Sequence, residues 1–144
     1  VTNTLHRILV VEDNAADVFL MREALKQHNV NAELLVFTNG QAAMSYFATI
    51  HNQDGAPELI LLDVNLPRRN GLAVLEGLRG NPFLRSVPVV VFTSSESVQD
   101  RNEAVRLHAN AFVRKSVDLE EFLQIGGIIK NLLPNTAVNN GRNH

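Results

Sequence analysis

At 144 residues, with 45% apolar and 19% charged residues, the chain has the size and composition of one globular domain with a buried core, and leaves no room in that length for a second catalytic or DNA-binding domain. Its 13 basic and 15 acidic residues are spread along the sequence for a net charge of −2, which excludes the broad positive field needed to hold nucleic acid or an anionic membrane. The absence of cysteine excludes disulfides, thiolate chemistry and cysteine-based zinc sites. With no apolar run of membrane-spanning length, the expectation is a cytoplasmic protein.

The first apolar run, Ile8 to Val11, predicts a strand. Asn14, with Asp17 three residues on, then opens a helix whose apolar positions are Val18, Met21 and Leu25. Leu34 to Phe37 predicts a second strand, followed by a helix carried by Ala43, Phe47 and Ile50 and by a polar turn cluster from His51 to Pro57. Leu59 to Leu62 and the helical spacing Leu72, Leu75, Leu78 form the third pair. Val89 to Phe92 with Val98, Ala104 and Val105 form the fourth. Ala111 to Val113 is the last strand, and Asp118 with Glu121 gives a capping-box pattern before the last helix. In that helix Leu119, Phe122, Leu123, Ile129 and Leu133 make one apolar face, sufficient for packing on a sheet. Ile125, Ile128 and Leu132 make a second, adjacent stripe that predicts a homodimer or partner contact. Residues 1–134 are expected to form the domain, and the Asn-rich residues 135–144 a frayed tail.

Strand runs that are apolar throughout, rather than alternating, predict a parallel sheet covered on both faces. The alternation therefore reads as α/β, a βα unit repeated five times in a doubly wound sheet, with ligands outside the carboxyl ends of the strands. Glu12 and Asp13 end the first strand, Asp63 the third, and Thr93-Ser94-Ser95 the fourth, while Lys115 follows the fifth. Three neighbouring carboxylates repel one another unless a cation intervenes, and Mg²⁺ suits all-oxygen ligands. Asp13 and Asp63 would bind it directly and Glu12 through water, with a backbone carbonyl near Asn65 as a further ligand. One Asp63 oxygen then remains to attack phosphorus and form an aspartyl phosphate, with Lys115 neutralising charge and the Thr93 hydroxyl donating to a phosphoryl oxygen.

Other residues read more plainly. A lone Asp at a strand end is as often a turn residue, so Asp63 gains its meaning from Asp13, Thr93 and Lys115. Gly71 serves a turn into a helix, and Arg68 and Arg69 read as solvated loop residues. His6, His28, His51, His108 and His144 show no metal-ligand spacing and are expected at the surface or in the tail.

The stretches Ile8 to Asn14 (ILVVEDN), Leu61 to Pro67 (LLDVNLP) with Gly71, Val90 to Ser95 (VVFTSS) and Phe112 to Lys115 (FVRK) resemble the receiver domains of two-component response regulators over roughly residues 6 to 133. The segments Asn65 to Gly71 and Asn81 to Pro88 are similar to the stand-alone regulators that partner bacterial and cyanobacterial phytochromes. The resemblance implies a flavodoxin-like sheet in the order 2-1-3-4-5 and a switch rather than an enzyme. It implies that Asp63 is the phosphoacceptor, that Glu12 and Asp13 are the acidic pair for Mg²⁺, and that Thr93 and Lys115 contact the phosphoryl group. Phe112 matches the switch aromatic, and the partner implied is a histidine kinase of the phytochrome type. Ser116 stands where the family usually has a proline in a cis peptide, so either the loop enforces cis or Lys115 arrives on a different loop.

Alternatives remain at this point: a phosphocarrier within a multistep relay, or a binding module indifferent to phosphorylation. A phosphohydrolase would commonly have a second aspartate two residues after the nucleophile, where this chain has Asn65. A flavodoxin-like cofactor carrier would leave the acidic cluster unexplained.

Overall fold

The computed structural model describes residues 4–68 and 70–134. Arg69 of the arginine pair, His144 and the tail expected at 135–144 lie outside the described residues. Strands β1 (His6–Val11), β2 (Ala32–Phe37), β3 (Leu59–Leu62), β4 (Val89–Thr93) and β5 (Ala111–Arg114) alternate with helices α1 (Ala15–Gln27), α2 (Gly40–Phe47), α3 (Gly71–Arg79) and α4 (Val98–Arg106). The last helix runs as two consecutive segments, α5 (Leu119–Leu123) and α6 (Ile125–Leu132), and a single 3₁₀ turn at Gln53–Gly55 sits in the polar cluster before β3. All strand pairs are parallel, in the order β2-β1-β3-β4-β5.

The period-two side-chain alternation of the strands explains why their sequences are apolar throughout. Ile8, Val10, Leu59, Leu61, Val90 and Phe92 point to a core shared with α1, α5 and α6. Leu9, Val11, Ile60, Leu62, Val89 and Val91 point to the opposite core, shared with α2, α3 and α4. Each fully buried aliphatic side chain contributes about 1.5–3 kcal/mol, so both layers hold the central strands in place. The edge strand β2 departs from this pattern: Ala32 to Val36 alternate between half-buried and exposed, and Leu35 faces solvent.

Every βα turn ends in a polar cap. Side-chain oxygens of Asn14, Asn39, Asn70, Ser97 and Asp118 accept the N–H groups of Asp17, Ala42, Ala73, Asp100 and Glu121. The capping box read at Asp118 is indirect. The Glu121 carboxylate accepts from the Ser116 hydroxyl at 2.6 Å, and that hydroxyl oxygen accepts the Asp118 N–H at 3.0 Å.

The structure corrects three expected helix faces. Ile125, placed in an exposed stripe, is buried in the core, while Ile128 and Leu132 are half-buried against that same core. Leu119, placed inward, is exposed. The cause is local: at Gln124 the helix tightens through an i→i+3 bond from Gly127 N–H to the Gln124 carbonyl (3.1 Å), and Gly126 lets α6 lie against α1. A β-carbon on Gly126 would overlap the Ala24 carbonyl oxygen and sit 2.6 Å from the His28 ring, so His28 is packed in this notch rather than solvated. His6 is likewise half-buried and pairs with Glu58 at 2.7 Å. On α4, Val98 and Val105 are exposed, and the helix meets the core through Ala104, with Leu107 just beyond its end. Among the described residues no helix is long and apolar enough to cross a membrane.

Candidate functional site

The carboxyl ends of β1, β3 and β4 and the segment after β5 converge on one edge of the sheet. Ladder bonds continue past the strands: Glu12 N–H donates to the Phe37 carbonyl (2.9 Å) and Asp63 N–H to the Val11 carbonyl (3.0 Å). Glu12 and Asp63 are consequently fixed with only 1% and 6% of their surface exposed, whereas Asp13 is open to solvent. Carboxylate oxygens of Glu12, Asp13 and Asp63 lie within 4.8 Å of one another. A hard, all-oxygen donor set of this charge fits a divalent cation such as Mg²⁺. Asn65 is exposed beside it, and its N–H donates to Asp63 Oδ1 at 3.2 Å.

Thr93 is fully buried at the end of β4, and its hydroxyl oxygen accepts the Ser95 N–H at 3.2 Å. Lys115 is tied to the same strand end, its N–H donating to the Thr93 carbonyl at 2.8 Å. Its ammonium group reaches Glu12 Oε1 at 2.7 Å, Asp17 Oδ2 at 2.8 Å and Asp63 Oδ2 at 3.3 Å. The described backbone contains no cis peptide, so Lys115 reaches the site with a trans bond to Ser116. Phe112, opposite Val91 in the β4–β5 ladder, is half-buried, and the Arg101 guanidinium lies 5.5 Å from its ring centroid.

Burial, together with one ammonium packed among carboxylates, sets the electrostatics. Burial pushes the Glu12 carboxyl up to about 7, with the Asp63 charge adding to the effect and the Lys115 hydrogen bond opposing it. Burial alone would lower Lys115, yet the hydrogen bonds it donates to Asp17 and Glu12, with the charge of Asp63, hold it above the ordinary lysine range. Lys115 is therefore a firmly charged ammonium among carboxylates.

Glu12, Asp13, Asp63 and Lys115 are thus brought together as the sequence suggested, with Thr93 on the adjoining strand end. Sequence alone marks Asp17 only as an acid of the first helical turn; its 2.8 Å contact with the Lys115 ammonium is visible only in the fold.

Residues 8–125 match the family model of the response regulator receiver domain. The chain is 39% identical over 124 residues to the response regulator Rcp1 of Synechocystis sp., covering 84% of each protein. It superposes on the phosphorylated cyanobacterial phytochrome response regulator RcpA with a TM-score of 0.80 at 36% identity, covering 92% of this chain and 96% of that one. For the Mn²⁺-bound form of Rcp1 the TM-score is 0.79 at 36% identity, covering 90% and 96%. Fold, site geometry and these likenesses converge: the chain belongs to the response regulator receiver domain family.

Proposed function

We propose that this receiver accepts a phosphoryl group on Asp63 from a phosphohistidine of a sensor kinase, and that the modified state is read by a partner protein. The observation that carries the reading is the environment of the Asp63 carboxylate, with Glu12 and Asp13 on one side and the Lys115 ammonium 3.3 Å from Oδ2. In the transfer, an Asp63 oxygen forms a bond to phosphorus as the phosphorus–nitrogen bond of phosphohistidine breaks. The imidazole leaves with that electron pair and takes a proton from solvent. Lys115 compensates charge on the phosphoryl oxygens, and the Thr93 hydroxyl, at the end of the adjoining strand, is the donor for one of them. Glu12, Asp13 and Asp63, with the Asn65 carbonyl, would hold Mg²⁺, which when bound neutralises charge that two such anions would otherwise share.

Asn65 supplies no carboxylate for proton transfer to an outside substrate, which favours a switch over a phosphohydrolase. Likeness to a cyanobacterial phytochrome response regulator supports a phytochrome-type histidine kinase as donor. Phe112 is the aromatic whose packing would report on Thr93, and the neighbouring face of α4 and the segment entering α5 would carry the signal or a homodimer contact. Val98, Val105, Val117 and Leu119 are exposed there.

The test is intact mass after incubation with Mg²⁺ and acetyl phosphate. One phosphoryl adduct is expected, dependent on Mg²⁺ and absent from Asp63→Asn. A folded wild type that takes no adduct overturns the reading.

A further inference from the structure

We propose that Asp17 is a positioning residue for Lys115, anchoring the ammonium where a phosphoryl group on Asp63 would meet it. The inference rests on reading Asp63 as the phosphoacceptor.

A lysine head group on a flexible four-carbon stem loses considerable rotamer entropy when it is fixed, so its placement must be enforced by partners. The Lys115 backbone is fixed by its bond to the Thr93 carbonyl, but this leaves the side chain free to swing. Three carboxylates hold it, and their distances differ: 2.7 Å to Glu12, 2.8 Å to Asp17 and 3.3 Å to Asp63. An ammonium has three donors. The two short bonds hold the head group, and the third, long one points at the acceptor. A phosphoryl oxygen on Asp63 takes over that third donor while the other two bonds persist.

Asp17 and Glu12 are not equivalent anchors. Glu12 belongs to the carboxylate trio that fits a cation, whereas Asp17 lies outside it. A cation drawn to the trio competes with Lys115 for Glu12 and leaves Asp17 as the undivided partner. The Asp17 backbone is itself set, because its N–H donates to the Asn14 cap at 3.1 Å. The pair is also well shielded, with side-chain exposures of 10% for Lys115 and 21% for Asp17, so it exceeds an ordinary surface ion pair in strength.

The experiment compares wild type, Asp17→Asn, Lys115→Met and the double variant. Phosphoryl uptake from acetyl phosphate with Mg²⁺ is expected to slow about tenfold in Asp17→Asn, the scale of a misplaced charge-compensating group, with little change in melting temperature. In the Lys115→Met background the Asp17 substitution is expected to add nothing. An equal slowing there would mark a structural role of the helix terminus and overturn the proposal. A second readout needs no phosphoryl transfer: acetylation of Lys115 by acetic anhydride, read by peptide mapping of the metal-free protein. It is expected to rise several-fold in Asp17→Asn, and unchanged Lys115 reactivity overturns the proposal. Failure of wild type to take a phosphoryl group instead overturns the phosphoacceptor reading.

Discussion

Gly71 closes against the backbone of Asp63: a β-carbon there would overlap the Asp63 carbonyl oxygen and lie 2.9 Å from Val64 Cα. Gly71 N–H also donates to the Val64 carbonyl at 2.9 Å, so the chain leaving the acceptor strand is folded straight back under it. Clash with backbone has no rotamer by which to relax, unlike clash with a side-chain tip. Gly71→Ala is therefore expected to cost about 3 kcal/mol, the upper end of overpacking, and to lower phosphoryl uptake by displacing Asp63. Urea denaturation reads the first effect, and a midpoint equal to wild type would show that the turn is not packed as described.

Metal-free stability should depend on pH through Glu12. Its carboxyl stands at about 7 in the fold, against an ordinary value of 4.5, because burial penalises the charged form. Between those values the folded chain keeps a proton that the unfolded chain has released. The associated stability is fully present below the unfolded value and is lost as pH rises toward about 7, by at most roughly 3 kcal/mol. In chelator, wild type should therefore weaken from about pH 5 to about pH 8 more steeply than Glu12→Gln, and added Mg²⁺ should restore it by binding the folded state. Parallel pH profiles for the two proteins would contradict this.

The site was legible in sequence because a buried parallel strand declares itself as an apolar run, so that the first polar residue after it marks the sheet edge. Glu12, Asp63 and Thr93 all occupy such positions. What stayed hidden depends on contacts without a local pattern. Asp17 satisfied a capping motif and gave no reason to seek a partner 98 residues away. The inward turn of Ile125 follows from tightening at Gln124 and from a glycine contact between α6 and α1, neither of which periodicity registers. Asn39, Asn70 and Ser97 are caps equal to Asn14; Asn39 and Asn70 each precede a glycine, and Ser97 closes a serine-rich stretch, so none stands out as a helix start in sequence.

Exposed Val98 and Val105 lie seven residues apart on one side of α4. If that side carries a homodimer, Val105→Glu should convert a wild-type dimer to monomer in sedimentation while the chain stays folded, losing only the stability that association adds. Ile125→Glu should behave oppositely, unfolding the chain, since it would bury an unpaired charge in the core. A wild type that is monomeric at high concentration removes the dimer and leaves the face to a different partner.

Arg79 links the loops that precede β4 and β5. At the end of α3 its guanidinium donates to the carbonyls of Arg85 (2.9 Å), Val87 (3.1 Å), Leu107 (3.1 Å) and His108 (2.7 Å), and to Asn110 Oδ1 at 3.4 Å. One side chain thereby pins the loop before β4 to the loop before β5, and Asn110 Oδ1 also accepts the Val89 N–H at the start of β4 (2.9 Å). Burial lowers the Arg79 pKa by penalising the charged form, and the accepting carbonyls offset part of that penalty. A lysine has too few donors, and the wrong geometry, to replace the planar fork. Arg79→Lys is expected to cost roughly 2 kcal/mol and Arg79→Met roughly 3, through carbonyls left without their partner. Hydrogen exchange should locate the loss at the amides of Arg85, Ser86, Val87 and Val89 and of residues 107–111. A uniform loss across the sheet would instead mean that Arg79 supports the whole fold rather than these two loops.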